Sequence, residues 1–205
     1  MKHYQLLMIF PLLCTIVMAD PAIIWQEDFA RYADGEHPAA YHNGTGVVLS
    51  EGAQKFYRCP SGLMGGFEYF GSRHWERYDL RFKLRFQERA TLYLVVKSGG
   101  WRGESPYTWY YVTINANSVA PVASGLPAEV PHTVPATVID PPLATNVWYT
   151  FDVAVAASNV TVRAQGPNEP ESRLLWDHAV LPGGGGINFH GIPSYDLAEI
   201  IVTEP

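Results

Sequence analysis

Tyr78–Phe86, YDLRFKLRF, alternates without a break. Tyr78, Leu80, Phe82, Leu84 and Phe86 fall on one side of an extended chain, and Asp79, Arg81, Lys83 and Arg85 on the other. A period of two is the pleat of a β-strand with one buried and one wet face, and no helical face can be drawn through it. Val147–Val155, VWYTFDVAV, repeats the pattern with Val147, Tyr149, Phe151, Val153 and Val155 inward. Ser158-Asn159 then turns the chain into Val160–Arg163, the signature of a hairpin. Working outward, Ile23–Phe29, Thr91–Lys97, Thr108–Asn115, Ile187–His190 and Ala198–Thr203 are rich in β-branched and aromatic residues and are expected to be extended. No window of a dozen residues carries an apolar stripe at helical spacing. Many short strands separated by Gly, Pro and Asn, with no helices between them, predict an all-β antiparallel sandwich of the jelly-roll type.

Two stretches interrupt this rhythm. Ser118–Asn146 carries Pro121, Pro127, Pro131, Pro135, Pro141 and Pro142, so it is expected to be a long surface excursion and not a central strand. Gly183–Gly186 is four glycines in a row; with no lysine or helix following, it reads as a turn into Ile187 and not as a phosphate loop.

Composition narrows the class. The 205 residues include 18 Gly, 16 Pro, 12 Tyr and 6 Trp with 17% charged residues, which excludes disordered and coiled-coil classes. The 14 Lys and Arg are scattered and outnumbered by 20 Asp and Glu, for a net charge of -6, which argues against a nucleic-acid partner. Residues 1–19 read as a signal peptide: Lys2, an apolar run from Leu6 to Val17, and Val17-Met18-Ala19 before Asp20. The run falls short of the about 20 apolar residues that a membrane span needs. The expectation is a protein secreted to the extracellular or periplasmic space, with one domain over residues 20–205. Cleavage would remove Cys14 and leave Cys59 alone, so no internal disulfide is available and the domain must be held by core burial.

Four segments, WQEDFARYADGEHPAAY (Trp25–Tyr41), YDLRFKLRF, WYTFDVAVAASNVTVRAQG (Trp148–Gly166) and GGINFHGIPSYDLAEIIVTEP (Gly185–Pro205), resemble in order the concanavalin A-like jelly rolls of laminin-G, laminarinase-type and 3-keto-disaccharide hydrolase-type proteins. The resemblance implies that the first and last strands lie side by side and that the protein faces sugars. It leaves open whether bonds are broken. The Glu-x-Asp-x-x-Glu strand of laminarinase-type glucanases is missing; Glu76-Arg-Tyr-Asp79 and Glu169-Pro-Glu171 have the wrong spacing for a carboxylate pair. Were the protein a glycan-cleaving enzyme, a polysaccharide lyase or a keto-sugar hydrolase, its acid/base candidates would be His74, Arg73, Glu68, Tyr111 and His190. The resemblance also implies a structural calcium tying the first strand to the last, through Asp196 with Glu27 or Asp28 across from it. No other cofactor is expected.

For sugar binding the most suggestive string is Trp101–Tyr111, WRGESPYTWYY. Sugars stack their C–H faces on flat rings while rim side chains take the hydroxyls, so Trp101, Arg102, Tyr107 and Trp109 form the expected contact set. A laminin-G-like domain binding a protein partner is the remaining alternative. Asn43-Gly-Thr45 and Asn159-Val-Thr161 are formal glycosylation sequons.

Overall fold

The computed structural model describes residues 21–38, 46–59, 65–69, 75–87, 90–99, 108–124, 136–179, 187–192 and 194–205. The leader segment, Asn43, Arg73, His74, Trp101, Arg102, Tyr107 and Gly183–Gly186 therefore lie outside the described residues. What is described is strand, with no helix.

One sheet holds eight strands. They are β1 (Ile23–Glu27), β2 (Val47–Glu51), β3 (Gln54–Cys59), β5 (Tyr78–Phe86), β10 (Tyr149–Val155), β11 (Asn159–Gln165), β12 (Arg173–Ala179) and β14 (Tyr195–Thr203). They run in the order β12-β11-β10-β5-β14-β3-β2, with β1 also on β14. The other sheet holds β4 (Gly65–Tyr69), β6 (Thr91–Gly99), β7 (Thr108–Asn115), β8 (Ser118–Ser124), β9 (Thr137–Val138) and β13 (Ile187–Ile192), ordered β4-β13-β6-β7-β8-β9. All pairings are antiparallel.

The alternation in β5 does what the sequence requires. Tyr78, Leu80, Phe82, Leu84 and Phe86 are buried, and they meet Tyr149, Phe151, Val153 and Val155 of β10, which are buried as well. Phe82 stacks on Phe151 with ring centroids 5.3 Å apart and meets Phe189 of the opposite sheet edge-on at 5.1 Å. That three-ring contact joins the two layers. Two residues along β13 from Phe189, Gly191 is a glycine because nothing larger fits: a Cβ there would sit 2.4 Å from the Thr91 carbonyl oxygen.

First and last strands do lie side by side, Glu27 opposite Ile200 and Gln26 opposite Ile201. β14 has two neighbours on that side, β3 along Tyr195–Leu197 and β1 along Ile200–Thr203. The change of partner coincides with a bulge at Ala198/Ile201, where Glu199 takes a φ of 47°.

The expectation of an excursion from Ser118 onward is corrected at its start. Ser118–Ser124 is a strand of the six-stranded sheet, with Pro121 opposite Val112. Proline is tolerated because β9 covers only Ser118 and Val119, so among the described residues β8 is the sheet edge from Ala120 onward and needs no donor on its far side.

Candidate functional site

The six-stranded sheet has a dry and a wet face. Leu92, Leu94, Val112, Ile114, Ile187 and Phe189 point into the core. The alternate positions Tyr93, Tyr111, Thr113, Asn188 and His190 are half-buried on the outer face. The ladder lines them up: Tyr93 is opposite both His190 and Thr113, and Val95 is opposite both Asn188 and Tyr111. Three rings thereby meet across three adjacent strands. Tyr93 packs edge-on against Tyr111 at 5.6 Å and 78°, and lies 6.1 Å from the His190 ring at 47°.

The surroundings of these rings tune their chemistry. Burial holds the His190 imidazole below its ordinary pKa, so at neutral pH it is uncharged, with one ring nitrogen donating and one accepting. Burial, and then the neighbouring Tyr93, push the Tyr111 hydroxyl up, so it remains a protonated donor. Asn188 Oδ1 is buried and has no hydrogen-bond partner, a state that costs free energy unless something supplies a donor. Val95, in the same row, is only 4% exposed although its side chain lies on the outer face.

Chain connectivity brings several strand ends together. Tyr69, Gly99, Thr108, Ser124 and Ile187 all stand at one end of the sheet, as the pairings Ile187 with Tyr69, Gly99 with Thr108 and Trp109 with Ser124 require. Arg73 and His74 follow Tyr69 in sequence, and Trp101, Arg102 and Tyr107 lie between Gly99 and Thr108. The segments that bear them thus join the sheet at the end where Tyr111 and Asn188 stand. Trp109 is placed by its backbone two residues before Tyr111 in β7, and Glu68 opposite Asn188 in β4. Of the acid/base candidates, Tyr111 and His190 share the outer face. Tyr93 and Asn188 were missed, although strict alternation in Leu92-Tyr93-Leu94 and Ile187-Asn188-Phe189 sets both opposite the core residues.

The residues expected to hold calcium are already engaged by neighbouring groups of the protein. Asp196 is fully buried on the eight-stranded sheet, and its oxygens are taken by guanidinium groups. Arg58 Nε donates to Oδ1 at 2.8 Å and Arg58 Nη2 to Oδ2 at 3.0 Å, while Arg85 Nε and Nη2 reach Oδ2 at 2.9 and 2.8 Å. Gln87 Nε2 donates to Oδ2 at 2.6 Å. A fully buried carboxylate whose charge is already balanced by two guanidiniums, with an amide donating as well, is poorly suited to a cation, so these residues do not fit calcium. Glu27 and Asp28 are also engaged. Glu27 accepts from the Phe29 amide at 2.6 Å and from Arg31 Nη2 at 2.7 Å, and Asp28 Oδ1 accepts from the Ala30 amide at 2.9 Å. Glu27 pairs at Ile200, four residues along β14 from Asp196, roughly 13 Å away at strand rise. Among the described residues no group of three or more His, Cys, Asp or Glu is placed to hold a metal ion.

Arg85, expected on the wet face of β5, is buried for the same reason. It also reaches Glu51 Oε2 at 2.6 Å and lies over the Trp148 ring at 4.4 Å and the Phe56 ring at 5.2 Å. A shallow depression of about 370 Å³ beside it is lined by Asp34, Ser50, Glu51, Arg58, Gln87 and Asn146, among others. Its charged groups are paired, Glu51 with Arg85, Arg58 and Arg85 with Asp196, and Asp34 with Lys55, so it reads as an ionic clasp between β3, β5 and β14.

No protein-family model matches the chain, and no curated protein sequence does. Solved structures do match. Lectin II from Ulex europaeus superposes with a TM-score of 0.57 at 10% identity, over 89% of this chain and 99% of that one. The Ca2+/Man3GlcNAc-bound exoplasmic/lumenal domain of VIP36 gives 0.54 at 8% identity, over 78% and 82%. The carbohydrate-binding module CBM66 from Bacillus subtilis gives 0.51 at 12%, over 80% and 96%. The fold is that of a concanavalin A-like jelly roll. At such identities the likeness establishes fold alone, so function on this jelly roll has to be argued from its own outer face.

Proposed function

We propose that this protein is a secreted carbohydrate-binding β-sandwich, and that sugar docks on the outer face of the six-stranded sheet. The observation that carries the reading is the ring row Tyr111, Tyr93 and His190 across β7, β6 and β13. Rings fixed by neighbouring strands offer flat apolar area with little entropy left to lose, and their hydroxyls and imidazole nitrogens serve the rim of a sugar. Trp101, Arg102, Tyr107 and Trp109 complete the proposed contact set, since their segment joins this end of the sheet. Lectins and a carbohydrate-binding module among proteins of like fold support the reading by analogy. For secretion, the support is the apolar Leu6–Val17 run ending in a small-residue cleavage site before Asp20.

The test is a glycan array followed by titration calorimetry on the hits. Tyr93→Ala and Tyr111→Ala are each expected to weaken binding about tenfold, as loss of roughly 1.4 kcal/mol of stacking would give. Wild-type affinity in both variants would sink the assignment of the face. Cleavage is the second reading, favoured by Tyr111 and His190, which share one face and are shifted in opposite directions. Reducing-end and unsaturated-uronate assays on bound glycans decide it: binding without product leaves a lectin-like protein.

A further inference from the structure

We infer that two copies of this protein associate through the outer faces of their eight-stranded sheets, Asp79 of each copy meeting Arg163 of the other. Nothing in this depends on the ring row, which stands on the opposite sheet.

The charges of the central strands are the starting observation. Every charged side chain on β14, β5, β10 and β11 is ion-paired except two. Arg81 pairs with Asp152, Lys83 with Glu199 and Arg85 with Asp196, whereas Asp79 and Arg163 make neither an ion pair nor a side-chain hydrogen bond among the described residues. The two left over are opposite in sign, and both are exposed on the outer face. Register sets them two strands and two residues apart, for Asp79 is opposite Ala154 on β10 and Arg163 is opposite Asp152. Their Cα atoms are thus roughly 12 Å apart at sheet spacing, with the Arg81–Asp152 pair between them. Partial burial first, and the nearby Asp152 second, hold the Asp79 carboxyl above its ordinary pKa, so a cation supplied from outside would relieve it.

The same place on the sheet is hollow. A depression of about 440 Å³ runs between these charges over Ala154 and Thr161, and is lined also by Ile201 and Pro21. Leu174, opposite Arg163 on β12, is 53% exposed. Apolar area is therefore available beside the two charges.

A second copy is the occupant that this pattern fits. A two-fold interface brings each contact about twice, i on j and j on i, so the face has to be complementary to itself. One unpaired anion and one unpaired cation on a single face meet that condition, and a partner presenting charge of one sign would leave one of them uncompensated. The contact is polar, so the dimer is weak, sensitive to salt and in exchange with a monomer whose face is solvated. The ring row stays open in the pair, once on each side.

The test is sedimentation velocity of the mature chain from about 1 µM to about 1 mM, the span of weak association, at low and high ionic strength. A monomer–dimer equilibrium that weakens several-fold with salt is expected. A monomer throughout the range at low salt overturns the inference. Asp79→Arg and Arg163→Asp should each abolish the dimer, because each leaves the two contacts with like charges. An equimolar mixture of the two variants should dimerise as the wild type does, and so should the Asp79→Arg/Arg163→Asp double variant. A dimer that survives either reversal, or one that neither the mixture nor the double variant restores, overturns the inference. Urea midpoints close to that of the wild type verify that the variants fold. Should either reversal fail to fold, Asp79→Asn and Arg163→Gln take their place, each expected to weaken the dimer about fivefold through loss of two exposed ion pairs. Binding of a glycan-array hit per site should be the same in monomeric and dimeric forms, so loss of the dimer and loss of the sugar site are read separately.

Discussion

Asp196 is a carboxylate with no exposed surface, and it is tolerated only because two guanidiniums and an amide surround it. Asp196→Asn removes the charge but leaves Arg58 and Arg85 facing one another, so it should destabilise by roughly 3–5 kcal/mol in urea unfolding. Arg58→Ala should cost less, because that side chain is about one-third exposed and water can replace its partner. The same experiment distinguishes clasp from calcium site. Asp196→Asn should lose equal stability with and without EDTA, whereas a metal bound there would make the wild type, and not the variant, sensitive to chelation. His190 supplies a pH signature. Its folded pKa lies below the ordinary 6.5, so its contribution is complete above the unfolded value and is lost as pH falls below it and the unfolded chain takes up the proton. Wild-type stability should therefore decline from about pH 6.5 downward more steeply than that of His190→Gln, measured as urea midpoints at successive pH values.

At the scale of elements, the decisive contact is between β5, β10 and β13. Phe82 touches Phe151 within its own sheet and Phe189 across the core, so Phe82→Ala opens a cavity at the junction of both layers and should cost about 3–5 kcal/mol. Gly191→Ala should also destabilise despite its small size, because the added methyl collides with backbone and not with a movable side chain. Both would be read from denaturant midpoints at unchanged m-value. The β5 and β10 strands were legible in advance because alternation over nine and seven residues leaves no other way to bury the aromatics. β2, β3, β4 and β12 were not, since none carries an unbroken alternation of apolar and polar residues, as the adjacent Phe56 and Tyr57 show, with Phe56 on the outer face beneath two arginines. Proline content misled at β8, where an edge position removes the very requirement that proline breaks. Arg85 was misjudged because alternation tells which face a residue takes, and only the partner strand, bearing Asp196, tells whether that face is wet. The candidate site was half legible: Tyr111 and His190 stood out by chemistry, but their approach to Tyr93 depends on the order β13-β6-β7, which joins residues far apart in sequence.

Across the whole molecule the two sheets divide the work. The eight-stranded sheet gathers both described termini and ties β3, β5 and β14 through Asp196, and its outer face carries cross-strand ion pairs such as Arg81 with Asp152 at 2.7 Å and Lys83 with Glu199 at 2.6 Å. These exposed pairs contribute little individually, about 0–1 kcal/mol each, and suit a solvated surface. The six-stranded sheet instead carries on its outer face clustered rings, a neutral imidazole and an unpaired acceptor, the last of which costs stability unless a donor meets it. Substitutions on the two faces should then separate cleanly. Asp196→Asn should lower the unfolding midpoint while the folded fraction binds the wild-type glycan with unchanged Kd, because the clasp lies on the opposite sheet from the rings and shares no partner with them. Tyr93→Ala should lose affinity with a much smaller loss of stability, since its ring is half-exposed and leaves no sealed cavity. The double variant should show the sum of both effects within about 0.5 kcal/mol. A coupling well beyond that, measured by calorimetry and urea unfolding on all four proteins, would mean that the clasp sets the ring row across the core and that the two sheets act as one unit in binding.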